Sequence, residues 1–299
     1  MFVQQIALIP FDPQDEEAGR ATPVGNEAGD IEKVAAAIQK QVSRDFAPIW
    51  EVSATVDVFP SLSDKPLGYW PILIVNRDIP GAAGVHQDEH GQPYAVVEVG
   101  PSWSLTASHE ALEMLADPFG SRLVPARFPE RAKELIGEDH GWVEFLAETC
   151  DPPESAEFAY SVDGILVSDF YTPHYFDSSK SSARYSFGGH IEEPRQVLQG
   201  GYLSWHNPVN DEWYQLRYFD NKEHVEELGK LNRNGQSWRS VIDAATTDLN
   251  GVPHLSKLSH LPERTPKLKD AIARKAAVQA ASKRRATVLR EQILAQADR

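Results

Sequence analysis

The chain has 299 residues, 41% of them hydrophobic and 24% charged, an ordinary globular composition with ample material for a core. Its one cysteine, Cys150, excludes an internal disulfide and suits a reducing compartment, so the expected location is cytoplasmic. The formal charge of −15 is uneven: residues 264–299 carry ten Lys/Arg against three Asp/Glu, which leaves an acidic body that would repel a nucleic-acid backbone. No apolar run approaches the ~20 residues of a membrane helix. Residues 1–10 lack the basic start and small-residue cleavage site of a signal peptide.

Val3 to Ile9 reads as a first strand, and the acidic stretch from Pro13 to Gly29 as a loop or lid. Beyond the N-cap candidate Asp30, Ile31, Val34, Ile38, Val42 and Phe46 recur at helical spacing, and Pro48 is the expected stop. Three strands are predicted next, over residues 52–59, 71–76 and 94–99. The first alternates apolar and polar residues, whereas Ile72-Leu73-Ile74-Val75 is continuous and reads as buried on both faces. The intervening stretch with Gly81, Gly84, His86 and His90 reads as a solvated loop. A helix with Ser104 or Thr106 as cap then runs to Asp117-Pro118, because the residue before proline is pushed out of the helical region. Residues 122–139 look charged and irregular. Further strands are expected over 142–150, 164–170 and 201–205, the last opening an aromatic hairpin with a turn at Asn207. Beyond residue 266 the Ala-, Lys- and Arg-rich chain is expected to be one long helix or a loose tail.

The chemistry concentrates on the helix bearing Ser108-His-Glu-Ala-Leu-Glu-Met-Leu-Ala-Asp-Pro118. With His109 at zero, roughly 100° per residue puts Glu113 near 40°, Asp117 near 80° and Glu110 near 100°. Leu105, Ala111, Leu112, Leu115 and Ala116 fall opposite. Groups at i and i+4 lie one above the other, so His109 and Glu113 can offer two ligands to one ion. A second acidic cluster, Glu144, Glu148, Asp151 and Glu154, can supply a third, either Glu148 or Asp151. The plainer alternative is an amphipathic surface helix with a solvated acidic face. Cys150, without a cationic neighbour in sequence, reads as a buried structural residue.

The order of helix, strands, Gly/His-containing segment, strand and Ser-His-Glu-x-x-Glu resembles the catalytic half of zincin-like metallopeptidases. There a His-Glu-x-x-His helix packs under a sheet whose edge strand holds an extended peptide. The run from Ser108 to Pro118, with Glu148-Thr-Cys-Asp-Pro152, also resembles an uncharacterised bacterial family with similar runs. The layout covers about residues 1–175, the specific motif only 108–118. One departure stands out: Glu113 replaces the second histidine, giving a divergent His-Glu-x-x-Glu variant. Zinc accepts carboxylate ligands, but a more anionic site moves toward harder ions.

The resemblance implies a divalent metal ion, zinc first, on His109, Glu113 and Glu148 or Asp151. It makes Glu110 the general base, and Tyr171, His174 or Tyr175 the donor to a developing charge, Tyr171 first. Asp117 would orient His109 or cap its own helix. The expected fold is α+β: a zincin-like mixed sheet with an N-terminal helix and a metal-binding helix over residues 1–120. A β-rich half over 121–262 completes the cleft, and a basic helical tail covers 263–299. The expected function is a metal-dependent hydrolase, a zinc peptidase acting on a peptide or protein substrate, with no nucleic acid at the acidic body and no membrane. The tail would dock on the chain's own body or on an acidic partner. The alternative is a non-catalytic structural or interaction module on the same scaffold.

Overall fold

In the computed structural model, which describes residues 3–11, 31–76, 79, 82–89 and 91–246, the first half builds a five-stranded mixed sheet. Its strands are β1 (Val3–Phe11), β2 (Ser53–Val58), β3 (Trp70–Val75), β4 (Gly84–Glu89) and β5 (Gln92–Glu98), in the order β2-β1-β3-β5-β4. β1 pairs in parallel with β2 and β3, and β3 with β5, while β4 runs antiparallel along the edge. Central strands of a parallel sheet are covered on both faces, which is why the Ile72–Val75 run has no polar member; all four residues are 0–1% exposed. Along one face, Ile6, Leu8, Ile72, Ile74, Ala95 and Val97 meet the apolar stripe Ile31, Val34, Ile38, Val42 and Phe46.

That stripe belongs to α1 (Ile31–Gln41), a π turn at Val42–Phe46 and α2 (Ala47–Trp50). The helical path thus passes Pro48, the expected stop. Pro48 lies in the first turn of α2, where a missing N–H is no loss, and the path ends at Glu51 in a left-handed conformation (φ 57°). The segment expected as a solvated loop at 81–90 is also different: residues 84–89 are strand β4, paired with β5 from Gly84↔Val97 to Glu89↔Gln92.

α3 (Trp103–Ala116) crosses this sheet and packs on β5 and β4. The second half forms an antiparallel sheet, order β12-β11-β10-β7-β6. Its strands are β6 (Leu123–Arg127), β7 (Trp142–Leu146), β10 (Gly201–Asn207), β11 (Glu212–Phe219) and β12 (Lys222–Gly229). Residues 122–139, expected to be irregular, hold β6 and helix α4 (Glu130–Ile136); their charges lie on exposed faces, which masks the pattern. The expected strand over 142–150 stops at Leu146, and 164–170 contains only β9 (Ile165–Val167), paired with β8 (Tyr160–Val162). The aromatic hairpin is β10–β11, its turn fixed by Val209 N–H donating to Asn207 Oδ1 (3.0 Å). Helix α5 (Trp238–Thr246) closes the described chain.

The protein is therefore α+β, its described residues falling in one compact unit, Met1–Leu255. Among them no helix is long and apolar enough to cross a membrane. The proposed lid at 13–29, His90 and the basic tail lie outside the described residues.

Leu112, fully buried in the core between α3 and the first sheet, tests this packing. Leu112→Ala should destabilise by about 2–5 kcal/mol in urea unfolding, whereas Leu67→Ala, at a side chain 94% exposed, should stay within about 0.5 kcal/mol. Equal effects at the two positions would refute the assigned packing.

Candidate metal centre

The acidic face of α3 is not solvated. Every residue from Ala107 to Ala116 is buried, His109, Glu110 and Glu113 included, so the surface-helix alternative fails. Three segments cover the polar face: β4, the turn after β7, and α5. Ser108 fixes the helix from its other side. Its hydroxyl donates to Gln41 Oε1 (2.9 Å) and accepts from Ser168 N–H (2.9 Å), while Gln41 Nε2 donates to Ser168 O (2.9 Å). α1, α3 and the residues after β9 are thereby clamped by one buried serine and one buried glutamine.

Four stretches of sequence meet over α3. From β4 comes His86, 0% exposed. Its Nδ1 lies 3.3 Å from Glu113 Oε2, 3.5 Å from Glu110 Oε2 and 3.8 Å from Glu148 Oε2. On α3 itself, His109 Nε2 lies 3.3 Å from Glu113 Oε2 and 3.2 Å from Asp151 Oδ1. The turn after β7 brings Glu148, Asp151 and the half-buried Glu154. From α5, Arg239 Nη1 donates to Glu148 Oε2 and Asp151 Oδ2, both at 2.9 Å, stands 3.7 Å from Glu113 Oε2, and Nε pairs with Asp243.

Two glycines make these approaches possible. A Cβ on Gly84 would lie 2.5 Å from Thr106 Cγ2 and 2.7 Å from Glu110 Oε1, so β4 can press onto α3 only with glycine there. Gly120, at φ +52°, accepts Arg239 N–H at its carbonyl (2.9 Å), and a Cβ there would meet Arg239 Cβ at 2.8 Å. That contact seats the start of α5 and with it the guanidinium.

The carboxylates share one pattern. Glu113 Oε1 accepts Cys150 N–H (3.1 Å), and Arg239 holds Glu148 Oε2 and Asp151 Oδ2. The opposite oxygens, Glu113 Oε2, Glu148 Oε1 and Asp151 Oδ1, have no hydrogen-bond partner among the described residues; nor do Glu110 Oε2 or either nitrogen of His86. Buried polar atoms normally find partners, and the His, Glu and Asp side chains gathered here could hold a metal ion.

The buried groups shift one another's ionisation strongly. Burial pushes the carboxyl of Glu148 well above its ordinary value despite Arg239, raises Asp151 with help from Glu113, and pushes Glu154 up to about 8. Against the same burial, His109 holds Glu113 well below the usual range. Both imidazoles rise well above theirs, burial being outweighed at His109 by Glu113 and at His86 by Glu148, Glu110 and Glu113.

The geometry accommodates an ion. Ligands about 2.0–2.2 Å from a tetrahedral zinc stand roughly 3.3–3.5 Å apart. The His109–Asp151 and His109–Glu113 edges of 3.2 and 3.3 Å match that separation, and are longer than the ~2.7–2.9 Å of a charge-assisted hydrogen bond. Two groups of donors could hold a metal: His86, Glu113 and Glu148; and His109, Asp151 and Glu154.

The structure thus brings His109, Glu110, Glu113, Glu148 and Asp151 together. Glu144 is elsewhere, paired with His206 (3.0 Å). Asp117 does not reach His109; its Oδ2 accepts Arg122 N–H (2.7 Å), tying down the chain after the helix. Tyr171 is fully buried, with no hydrogen-bond partner for its hydroxyl among the described residues. Burial and then Tyr175, Glu148, Glu113 and Asp151 push its ionisation well upward. Tyr175 instead donates to Gln196 O (3.0 Å), and His174 is exposed beside Asp177. Cys150 is buried, and burial pushes its thiol up, away from the thiolate that a nucleophile needs.

His86 and Arg239 were not expected at the site. For His86 a signal existed: a glycine opening a strand-like run marks close backbone approach. Arg239 and Asp243 look like an ordinary surface i,i+4 pair, and nothing local points to partners some 90 residues upstream.

Arg239→Met would leave Glu148 and Asp151 buried without their fixed countercharge. It should destabilise the chelator-treated protein by about 3–5 kcal/mol in urea, and a change below 1 kcal/mol would show that the guanidinium does not hold the cluster. No protein-family profile, curated protein or solved structure matches this chain.

Proposed function

We propose that the chain is a metal-dependent hydrolase, a zincin-like metallopeptidase in outline, with zinc on His109, Glu113 and Asp151 and an extended peptide or protein tail as substrate. One observation carries the reading: His109 Nε2 stands 3.3 and 3.2 Å from Glu113 Oε2 and Asp151 Oδ1, two buried carboxylate oxygens with no hydrogen-bond partner among the described residues, at separations like the edges of a tetrahedral site. Asp151 is preferred to Glu148 as third ligand because its free oxygen faces His109.

When bound, the ion supplies a Lewis acid and lowers the pKa of a coordinated water toward about 7. Glu110, adjacent to His109, takes the proton at Oε2, the oxygen without a hydrogen-bond partner among the described residues. Tyr171, kept neutral by burial, donates its hydroxyl proton in a hydrogen bond to the developing negative charge. β4, the edge of the mixed sheet, presents backbone groups to which an extended peptide can add. The single cysteine supports a reducing compartment for this activity.

A second reading, a non-catalytic interaction module on this scaffold, draws on Arg239, which already spans two of the carboxylates with its own positive charge.

Mass-spectrometric metal analysis of the purified chain tests the first reading. At least one ion per wild-type chain, and one fewer in His109→Ala, are expected. Glu110→Gln should keep its metal and cleave a peptide library about 10²–10⁴ times more slowly. Metal-free wild-type protein removes the proposal; metal without cleavage by any form moves it to the interaction module.

A further inference from the structure

Resting on the metal reading above, we infer that the centre holds two divalent cations, the second bound by His86, Glu113 and Glu148, with Glu113 shared between them. His86 is the reason. It is fully buried on β4, and neither ring nitrogen has a hydrogen-bond partner among the described residues. An imidazole placed there for packing alone would bury two polar atoms at a cost of a few kcal/mol.

The two histidines address different acids. His109 Nε2 faces Asp151 Oδ1, with Glu154 in the same group. His86 Nδ1 faces Glu110 Oε2 and Glu148 Oε2, and the donors of its group with Glu113 and Glu148 all lie within 4.8 Å of one another. Among the described residues, only Glu113 Oε2 stands beside both rings, at 3.3 Å from each. One ion at His109 therefore leaves the His86 donors unserved, whereas two ions use both nitrogens and the common oxygen.

Charge leads to the same place. Among the described residues, Glu113, Glu148, Asp151 and Asp243 stand against one guanidinium, Arg239, with Glu110 beside His86 and Glu154 in the His109 group. So many acids against one fixed cation offer negative charge for two divalent ions, whose binding displaces the protons the cluster holds. In hydrolases such a pair clamps the attacking and leaving oxygens together.

The experiment loads the full chain with zinc, removes loose metal over a weak chelating resin, and counts zinc per chain in wild type, His86→Asn and His109→Ala. A parallel manganese-loaded sample is read by electron paramagnetic resonance. Two zinc ions in wild type, one in each variant, and a spin-coupled manganese spectrum that becomes that of an isolated ion in His86→Asn are expected. One zinc in wild type overturns the second ion and leaves the metal reading standing; none overturns both. Two zinc ions retained in His86→Asn, or an uncoupled manganese pair, overturns the assignment to His86 and the sharing of Glu113. Should His86→Asn fail to fold, the wild-type count and spectrum decide alone.

Discussion

The constraint on which everything else rests is the burial of carboxylates around a single guanidinium. Taking a carboxylate out of water costs several kcal/mol even after relaxation, and mutual repulsion adds to it when several share a space. Arg239 reaches three of them directly, Glu148, Asp151 and Asp243, and Glu113 at longer range, and the backbone N–H of Cys150 steadies Glu113. On Glu113, Glu148 and Asp151 each donor takes one oxygen and leaves the other without a hydrogen-bond partner among the described residues. That is how outer partners orient ligands in metal sites, and it distinguishes this cluster from a merely acidic surface.

The fold serves that arrangement by bringing two sheets to one helix. The mixed sheet backs α3 with apolar side chains and folds its edge strand over the polar side, where Gly84 removes the last obstacle to contact. The antiparallel sheet sends the turn after β7 across the other flank. The proposed chemistry rests on this geometry, in which His109 Nε2 stands 3.2 and 3.3 Å from two carboxylate oxygens.

What was legible in the sequence follows from the range of the interactions that decide it. The α+β class, β1, β3 and the stripe of α1 were readable because periodicity is local. The site helix was readable because His109, Glu110 and Glu113 sit within two turns, and Glu148 and Asp151 were reachable as a separate acidic run. β4 was misread because glycines flank it, although the same glycine that mimics a loop is what lets the strand approach. β6 and α4 were hidden by their exposed charges. Arg239 was out of reach altogether: its role depends on Gly120, Glu148 and Asp151, contacts that no window of neighbouring residues contains.

The position of α5 at the far end of the described chain has a consequence for how the molecule matures. During synthesis the mixed sheet, α3 and the turn bearing Glu148 and Asp151 all emerge before Arg239 does. A nascent chain at that point has its acids without the guanidinium that pairs with them. Docking of Trp238 and Arg239 against Ser121 and Gly120 brings that guanidinium in. Emergence of α5, and not completion of the 299-residue chain, is what sets the internal counter-ion in place.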